Sequence, residues 1–308
     1  MGSSVIEVDN LRKRYGAHMA VADVSFQVRQ REIFGLLGRN GAGKTTTVEC
    51  LQGLRRADGG RIRVLGLDPQ RHTQQLRRRI GCQLQEVALP DRLKVWEALD
   101  LFASLAPGGS DWRVLMDQWG LADKRTASFA SLSGGQRQRL FVALALVNDP
   151  EVVFLDELTQ GLDPAARRVA WGLIRAIRER GATVVLVTHY MDEAEQLCDR
   201  IAVIDGGRVV ATDTPQGLIA RFGGPIRISF TPNGHDVRFL EGVAHVQAVR
   251  RRGERVEAEG TGPVLALAAA ELVARGIVPA DLRVDQATLE DVFLRLTDQP
   301  SHHREVSR

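Results

Sequence analysis

The sequence predicts an α/β fold in which helices cover a largely parallel sheet, followed by a smaller α+β domain. Three short apolar runs, at residues 33–37, 152–155 and 183–187, are continuous rather than alternating. Such runs are typical of strands that are buried on both faces of a parallel sheet. An amphipathic segment at residues 164–180 separates the second run from the third, which predicts a βαβ unit. A chain of 308 residues is long enough for one large domain and one small one.

The first part of the chain predicts a strand, a glycine-rich loop and a helix in direct succession. The strand is residues 33–37, the loop begins at Gly38, and residues 44–54 have helical spacing. Shorter strands are expected at residues 6–8 and 21–28 before this unit. A further strand at residues 61–64 and one at residues 80–84 follow it.

Residues 86–147 change in character and predict a helical insert, which ends in a helix that is apolar on one side. Beyond the βαβ unit, Gly206 and Gly207 lie between two short apolar runs and indicate a hairpin. Residues 223–225, Gly-Gly-Pro, predict a domain boundary. We therefore expect a large domain at residues 1–222, a small α+β domain at residues 223–297 and a disordered polar tail at residues 298–308.

Composition argues against several classes of protein. The net charge of +3 comes from 41 basic and 38 acidic residues, a balance that gives little reason to expect a nucleic-acid partner. The three cysteines are far apart and form no CxxC pair, so neither a disulfide framework nor a zinc site is expected. The longest apolar stretch, residues 140–147, is far shorter than the roughly 18 residues that span a bilayer, and residues 1–10 predict no secretory signal.

The loop at residues 38–45, GRNGAGKT, matches the spacing G-x-x-x-x-G-K-[ST]. Its glycines allow backbone N–H groups to converge on phosphate oxygens, and the helix that follows points its positive end at the same anion. Lys44 would bind the β- and γ-phosphates, and the hydroxyl of Thr45 would bind Mg²⁺. The predicted nucleotide-binding residues of this segment are Gly38, Asn40, Gly41, Gly43, Lys44, Thr45 and Thr46.

Two carboxylates follow the apolar run at residues 152–155. Asp156 lies at the carboxyl end of that predicted strand, where open α/β sheets bind ligands, and we assign it to the Mg²⁺ shell. Glu157 is the candidate that orients and deprotonates the attacking water. The alternative is that the acidic pair simply ends the strand as a solvated cap.

Residues 132–136, LSGGQ, open a predicted helix and offer a second anion site from Ser133 and two glycine amides. A plain helix cap is the alternative role for Ser133. With this pentapeptide the chain resembles the ATP-binding cassette (ABC) family over roughly residues 5–220. The resemblance implies a P-loop (RecA-like) nucleotide-binding domain with an antiparallel β subdomain and a helical insert, and it implies ATP and Mg²⁺ as ligands.

In the ABC family two cassettes pack head to tail, with each ATP between the phosphate loop of one copy and the LSGGQ of the other. The resemblance thus implies a homodimer or paired cassettes in the ATP-bound state. It assigns γ-phosphate contacts across that interface to Ser133, Gly134 and Gly135, and it makes Gln136 a further nucleotide-binding residue.

Four more residues fall at positions that match the family pattern. Gln85 matches a glutamine that contacts Mg²⁺ or water, and His189 matches the histidine that contacts the γ-phosphate. Asp163 matches the loop that reaches the opposite site, and Tyr15 falls where the family stacks an aromatic ring on adenine. Taken singly, Gln85 could cap a strand, His189 could be a buried structural histidine, and Tyr15 could be a surface residue.

One position departs from the family pattern. Leu158 follows Glu157 where the family usually has proline. Because the carboxylates are untouched, we expect altered loop stiffness rather than lost chemistry.

Two segments, THYMDEAE at residues 188–195 and ATLEDVFL at residues 287–294, resemble the ATPases of bacterial ABC-2-type exporters, including the daunorubicin-resistance-like group. The resemblance implies ATP-driven export of a drug, antibiotic or lipid through a separate membrane permease, at the cytoplasmic face of the membrane. A cluster of Leu89, Leu93 and Val95 suggests a groove for a short helix of that permease.

Three alternatives are weighed against the exporter. Ribosome-acting ABC ATPases usually carry two tandem cassettes, and DNA-repair members carry a long coiled-coil insert, neither of which this sequence contains. An importer subunit is opposed by the tyrosine after His189 and by the C-terminal segment.

Overall fold

The computed structural model describes residues 3–83, 89–106 and 108–297, and the chain divides into two compact units between Pro215 and Gln216. The predicted tail at residues 298–308 lies outside the described residues. Within the described residues, no helix combines the length and the apolar character needed to cross a bilayer.

The first unit is built on one sheet in the order β4-β1-β2-β9-β8-β3-β7-β6-β5. Its strands are β1 (Ser4–Tyr15), β2 (His18–Arg29), β3 (Ile33–Leu37), β4 (Gly59–Val64), β5 (Ile80–Gln83), β6 (Val152–Asp156), β7 (Thr183–Thr188), β8 (Arg200–Asp205) and β9 (Arg208–Asp213). Strands β5, β6, β7, β3 and β8 pair in parallel, whereas β4, β1 and β2 pair antiparallel. The predicted combination of a parallel sheet with an antiparallel β subdomain is confirmed.

The antiparallel strands extend further than predicted. Strand β1 runs to Tyr15 and β2 begins at His18, where residues 6–8 and 21–28 were expected. The additional length is polar, as at Arg12 and Lys13. Pairing with the neighbouring strand keeps this part extended although its side chains do not alternate, because tertiary contacts override local pattern.

Seven helices and two 3₁₀ turns surround this sheet among the described residues. They are α1 (Lys44–Leu51), α2 (Thr73–Arg77), α3 (Val95–Leu105), α4 (Trp112–Gln118), α5 (Gly134–Leu146), α6 (Pro164–Glu179) and α7 (Met191–Leu197), with 3₁₀ turns at Ala122–Lys124 and Phe129–Ser131. Helices α3, α4 and α5 form the predicted helical insert. An eighth helix, α8 (Pro215–Phe222), spans the division between the units.

The central strands are buried because both of their faces are covered. Every residue of β3, β6 and β7 is buried, as their continuous apolar sequences predict. Phe34 of β3 is fully buried and stacks on Phe26 of β2 with ring centroids 5.2 Å apart. Burying a side chain of this size stabilises the fold by about 2–3 kcal/mol. The strand ends that carry polar residues are therefore held on a rigid frame.

The second unit is a four-stranded antiparallel sheet in the order β11-β12-β10-β13. Its elements are β10 (Ile226–Phe230), β11 (Val246–Arg252), β12 (Arg255–Gly260), α9 (Val264–Ala274), β13 (Arg283–Asp285) and α10 (Leu289–Thr297). Apolar residues of the sheet and of α9, among them Phe230 and Leu272, form its own core. The strand predicted at residues 243–249 begins later, because the preceding 3₁₀ turn at Arg238–Gly242 leads into it. The smaller α+β fold is confirmed.

Candidate functional site: a phosphate loop and an acidic pair

The carboxyl ends of three parallel strands meet at one edge of the sheet. In the register, Leu37 of β3 lies opposite Thr188 of β7, and Asp156 of β6 lies opposite Val187. The residues that follow these ends are the glycine-rich loop, Glu157 and His189. The sheet thus brings together residues that are far apart in sequence, at the edge where parallel α/β sheets bind ligands.

The glycine-rich loop has two positions that only glycine fits. Gly43, directly before α1, has a φ of 101°, and a Cβ there would lie 2.3 Å from the carbonyl oxygen of Ala20. A Cβ at Gly38 would lie 2.4 Å from the carbonyl oxygen of Ile204. Left-handed backbone and close chain approach both favour glycine. The loop is therefore fixed against β2 and β8 while it leads into the amino end of α1.

Lys44 is buried at the base of this loop. Its Nζ donates hydrogen bonds to the carbonyl oxygens of Gly38 at 2.8 Å and Arg39 at 3.0 Å. Burial lowers the pKa of the Lys44 ammonium, and the negative charges of Glu157 and Asp156 oppose that decrease. Lys44 therefore brings a buried positive charge to the base of the loop, where an anionic ligand would be favoured.

Asp156 is almost fully buried at the end of β6. Burial raises the pKa of its carboxyl to about 6, although a hydrogen bond from Thr45 and the charge of Lys44 act in the opposite direction. Its Oδ1 has no hydrogen-bond partner within the part of the chain that the structure describes. A buried carboxylate oxygen without a partner is unfavourable unless a cation or water binds it. Asp156 and Thr45 therefore fit a divalent metal ion.

Glu157 contacts His189 across the strand ends. His189 Nδ1 lies 3.1 Å from Glu157 Oε1, and only 6% of the Glu157 side chain is exposed. Because an ionised carboxylate can only accept hydrogen bonds, Nδ1 is the donor when Glu157 is ionised, and Nε2 is the ring nitrogen that this contact does not use. The two residues therefore form one polar pair beside Asp156.

The backbone at Glu157 is left-handed, with a φ of 50°. Its N–H donates to the carbonyl oxygen of Val187 at 3.0 Å, which ties the residue to β7. The next residue, Leu158, is buried, and its carbonyl accepts a hydrogen bond from the side-chain amide of Gln138 in α5. A left-handed non-glycine residue costs roughly 1 kcal/mol or more, and such strain concentrates at functional sites.

Two helix starts use residues that the sequence assigns to nucleotide binding. Ser133 caps α5 by accepting from the N–H of Gln136 at 3.4 Å, while the Gln136 side chain accepts from the N–H of Ser133 at 3.0 Å. Asp163 caps α6 by accepting from the N–H groups of Ala165 and Ala166, both at 2.9 Å. Within a single chain, Ser133 and Asp163 therefore act as helix caps, which is the alternative role considered for Ser133 in the sequence analysis.

The remaining predicted residues lie at the surface or outside the described ranges. Gly134 is exposed, and neither it nor Gly135 has an atom within 4 Å of a Cβ built there. Tyr15 is 41% exposed at the end of β1, with Lys13 Nζ 5.3 Å from its ring centroid. Asn40 and Gly41 are exposed in the loop and Thr46 is half-buried in α1. Gln85 lies outside the described residues.

The hypothesis that Leu89, Leu93 and Val95 line a groove for the permease is wrong for Val95. Val95 is fully buried and cannot line a groove for a partner, because its side chain packs inward from the start of α3. Leu89 and Leu93 are half-buried. The exposed apolar side chains of this helix lie further along, at Leu101, Phe102 and Leu105.

In the sequence, Tyr190 was only a family signal, and the contacts around it were not predicted. Tyr190 contacts the His189 ring, and Arg167 of α6 contacts Tyr190. Glu193 of α7 is fully buried, with its carboxylate accepting from the Trp171 indole. No sequence signal indicated these contacts, since the burial of Glu193 is visible only in the structure.

Comparison with known proteins places this site in a family. The family described as "ABC transporter" matches residues 21–160. The daunorubicin resistance ATP-binding protein DrrA2 of Streptomyces coeruleorubidus is 37% identical over 318 residues, covering 99% of each chain. The chain belongs to the ABC transporter family of ATP-binding proteins.

Other relatives of this ABC protein include the Nod factor export ATP-binding protein I of Paraburkholderia xenovorans, 40% identical over 96% of this chain and 98% of that protein. Among solved structures, the dimeric bacterial ABC transporter cassette MJ0796 has a TM-score of 0.60 and 25% identity, covering 68% of this chain and 98% of that one. This ABC protein is therefore an ATP-binding cassette with ATPase activity, and the predicted family and fold class are confirmed.

Proposed function

We propose that this ABC ATPase is the ATP-hydrolysing subunit of an ABC-2-type export system. It powers efflux of a drug, antibiotic or lipid through a separate membrane permease. The observation that carries the proposal is the extent of the similarity. Relatives named for daunorubicin resistance and for Nod factor export match 99% and 96% of this chain, so the likeness includes the second unit as well as the cassette.

The phosphate loop and Asp156 supply the nucleotide site. The ammonium of Lys44 exchanges its carbonyl partners for the β- and γ-phosphates of ATP, whose negative charge favours the buried cation. The hydroxyl of Thr45 and the carboxylate of Asp156 would hold Mg²⁺, and Gln85 is proposed as a further ligand. When bound, the metal ion neutralises charge that develops on the phosphates. Asn40, Gly41 and Thr46 complete the loop, and Tyr15 stacks on adenine at the exposed end of β1.

Glu157 is the proposed general base. It orients a water whose oxygen forms a bond to the γ-phosphorus while the bond from that phosphorus to the ADP oxygen breaks, and it accepts the proton that the water loses. His189 holds Glu157 through the 3.1 Å pair and presents its Nε2 side to the phosphate region. Its half-buried position keeps this nitrogen within reach of ligand.

The site is completed by a second cassette. The open surface over Gly134 and Gly135 leaves room for a γ-phosphate that a second copy carries, and the amino end of α5 attracts an anion. Asp163 lies at the amino end of α6, in the loop that reaches the opposite site. A homodimer or a paired cassette therefore forms when ATP binds.

The permease partner is proposed to dock on the helical insert. Leu101, Phe102 and Leu105 expose apolar side chains on α3, and such a patch on a soluble domain marks a contact surface. This docking would hold the protein at the cytoplasmic face of the membrane. The second unit, proposed as an accessory domain at residues 223–297, belongs to the same assembly.

Two measurements test this proposal. The Glu157→Gln variant with Mg-ATP is expected to form a dimer by light scattering and to lose most of its phosphate release, by roughly 10²-fold or more. The matched control Glu179→Gln, at the exposed end of α6, is expected to behave as wild type. Undiminished phosphate release in Glu157→Gln would remove Glu157 from this role.

Export is tested separately by purifying the tagged full chain from membranes of its own cells. Co-purification with a polytopic membrane protein, lost on changing Leu101 and Leu105 to aspartate, supports the exporter. Recovery with ribosomes or DNA instead would overturn it in favour of a non-transport ABC ATPase.

A further inference from the structure

The side chain of Tyr190 packs against the histidine that precedes it. The ring centroids of Tyr190 and His189 are 4.2 Å apart with an interplanar angle of 38°. The Tyr190 N–H donates to the hydroxyl of Thr188 at 3.0 Å, which fixes the backbone where β7 ends. Consecutive side chains in an extended segment normally point to opposite sides, so this contact depends on the turn between β7 and α7.

A cation holds Tyr190 from another element. The guanidinium carbon of Arg167, in α6, lies 4.1 Å from the Tyr190 ring centroid. Arg167 Nη1 pairs with Asp192 Oδ2 at 3.2 Å, and only 19% of the Arg167 side chain is exposed. Its Nε is buried without a hydrogen bond inside the described ranges. The ring contact is therefore the main partner of that part of the guanidinium, a geometry that favours a cation–π interaction.

Glu193 anchors this arrangement from below the surface. Its side chain is fully buried, and its carboxylate accepts from the Trp171 indole N–H at 3.2 Å. Burial raises the pKa of Glu193, and the charge of Arg167 opposes the rise. Arg167 is thus attracted to α7 by Asp192 and Glu193 together, and it remains over Tyr190.

We infer that Tyr190 is a positioning residue for His189. Arg167 holds the Tyr190 ring in place, and the Tyr190 ring holds the imidazole so that its Nδ1 faces Glu157. The imidazole has two rotatable bonds and is 27% exposed, so the core alone does not fix it. A ring that turns by 180° about its second bond presents carbon instead of Nδ1 to Glu157. Contact with Tyr190 instead keeps the imidazole ring in place, so that the 3.1 Å contact with Glu157 can select the orientation with Nδ1 towards the carboxylate. The inference rests on the role proposed above for His189.

Kinetics of ATP hydrolysis by the purified full chain test the inference. Tyr190→Ala is expected to lower kcat by about 10- to 100-fold, because misplacing a catalytic group by about an ångström has effects of this size. KM for ATP should stay within about twofold, since Tyr190 lies outside the proposed phosphate contacts. Tyr190→Phe keeps the ring and should restore kcat. Arg167→Met should lower kcat, whereas Arg168→Met, at the exposed neighbouring position, should leave it unchanged.

The ring signals of histidine report whether the His189 imidazole lies against the aromatic ring at position 190. In NMR spectra of ¹³C-histidine-labelled protein, the His189 signal is identified by its loss in His189→Gln. Protons above an aromatic face are shielded, so this signal should move downfield in Tyr190→Ala and stay in Tyr190→Phe. These spectra also show whether the fold of each variant is intact, through the other histidines.

The outcomes separate the two proposals. If His189→Ala hydrolyses ATP like wild type, the role proposed for His189 fails. If His189→Ala is impaired but Tyr190→Ala keeps the wild-type kcat, the positioning role of Tyr190 is overturned, whether or not the His189 signal moves. An impaired Tyr190→Phe with an unmoved His189 signal also overturns it, because the ring would then be insufficient.

Discussion

The buried carboxylate of Asp156 makes the stability of the nucleotide-free protein depend on pH. We predict that Asp156→Asn stabilises the first unit near neutral pH while it abolishes ATP hydrolysis. Burial raises the pKa of Asp156 from the ordinary 3.8 to about 6, so the ionised form is the unfavourable one in the folded protein. Asparagine keeps the size and an acceptor for the Thr45 hydroxyl without the charge.

The magnitude follows from the raised pKa. Between pH 3.8 and about 6 the folded state binds a proton that the unfolded state has released, so stability falls as the pH rises through this window. A difference of about two pH units, at about 1.4 kcal/mol per unit, corresponds to about 3 kcal/mol above pH 7. Asp156→Asn should therefore be more stable than wild type by up to about 3 kcal/mol near pH 8, and by only about 1 kcal/mol near pH 4.5.

Urea unfolding followed by tryptophan fluorescence measures this difference. All four tryptophans, at positions 96, 112, 119 and 171, belong to the first unit, so the signal reports the unit that contains Asp156. Burial also raises the pKa of Glu32 and Glu193. Comparing Asp156→Asn with wild type at each pH cancels their contributions, because both proteins contain them.

The control is Asp123→Asn, which removes an exposed carboxylate from the same unit and should give no pH-dependent difference. The reasoning is refuted if Asp156→Asn has the same stability as wild type near pH 8, or if its advantage is independent of pH between about 4.5 and 8.

Three further predictions concern other parts of the molecule. Gly43→Ala should abolish nucleotide binding in calorimetric titration and lower Tm, because the added Cβ would lie 2.3 Å from the carbonyl oxygen of Ala20. The control is Gly16→Ala, where the backbone is also left-handed but the space is open, and its free energy of unfolding should fall by only about 1–2 kcal/mol. Asp163→Ala should reduce the free energy of unfolding in urea by about 1 kcal/mol through loss of the α6 cap, while Asp163→Asn should not, and equal stability of all three would contradict the cap. Phe230→Ala, in the core of the second unit, should cost about 3–5 kcal/mol. Limited proteolysis of Phe230→Ala should then cleave the second unit first. Digestion at the wild-type rate would show that the substitution does not destabilise that unit.

Much of the fold was predictable because its central strands are buried on both sides. Continuous apolar sequence at β3, β6 and β7 identified the parallel sheet, and the glycine pattern identified the loop between β3 and α1. The lengths of β1 and β2 were not predictable, because their additional residues have no alternating pattern and are extended through pairing with one another and with β4.

The positions of the candidate site residues were predictable where a motif directly follows a buried strand. Lys44, Asp156, Glu157 and His189 meet at the strand ends as the order of motifs predicts. The contacts of Tyr190 with Arg167 were not accessible from the sequence. They join α6 to the turn after β7, and no periodic pattern specifies which arginine of an amphipathic helix reaches an aromatic ring.

The left-handed backbone at Glu157 has a consequence for which residue can follow it. A proline at position 158 would confine residue 157 to extended conformations, whereas Leu158 permits the φ of 50°. The same conformation keeps the Glu157 N–H on the carbonyl oxygen of Val187 and its carboxylate beside His189. Leu158→Pro would therefore force residue 157 out of this conformation and reorient a carboxylate that β6 itself does not fix.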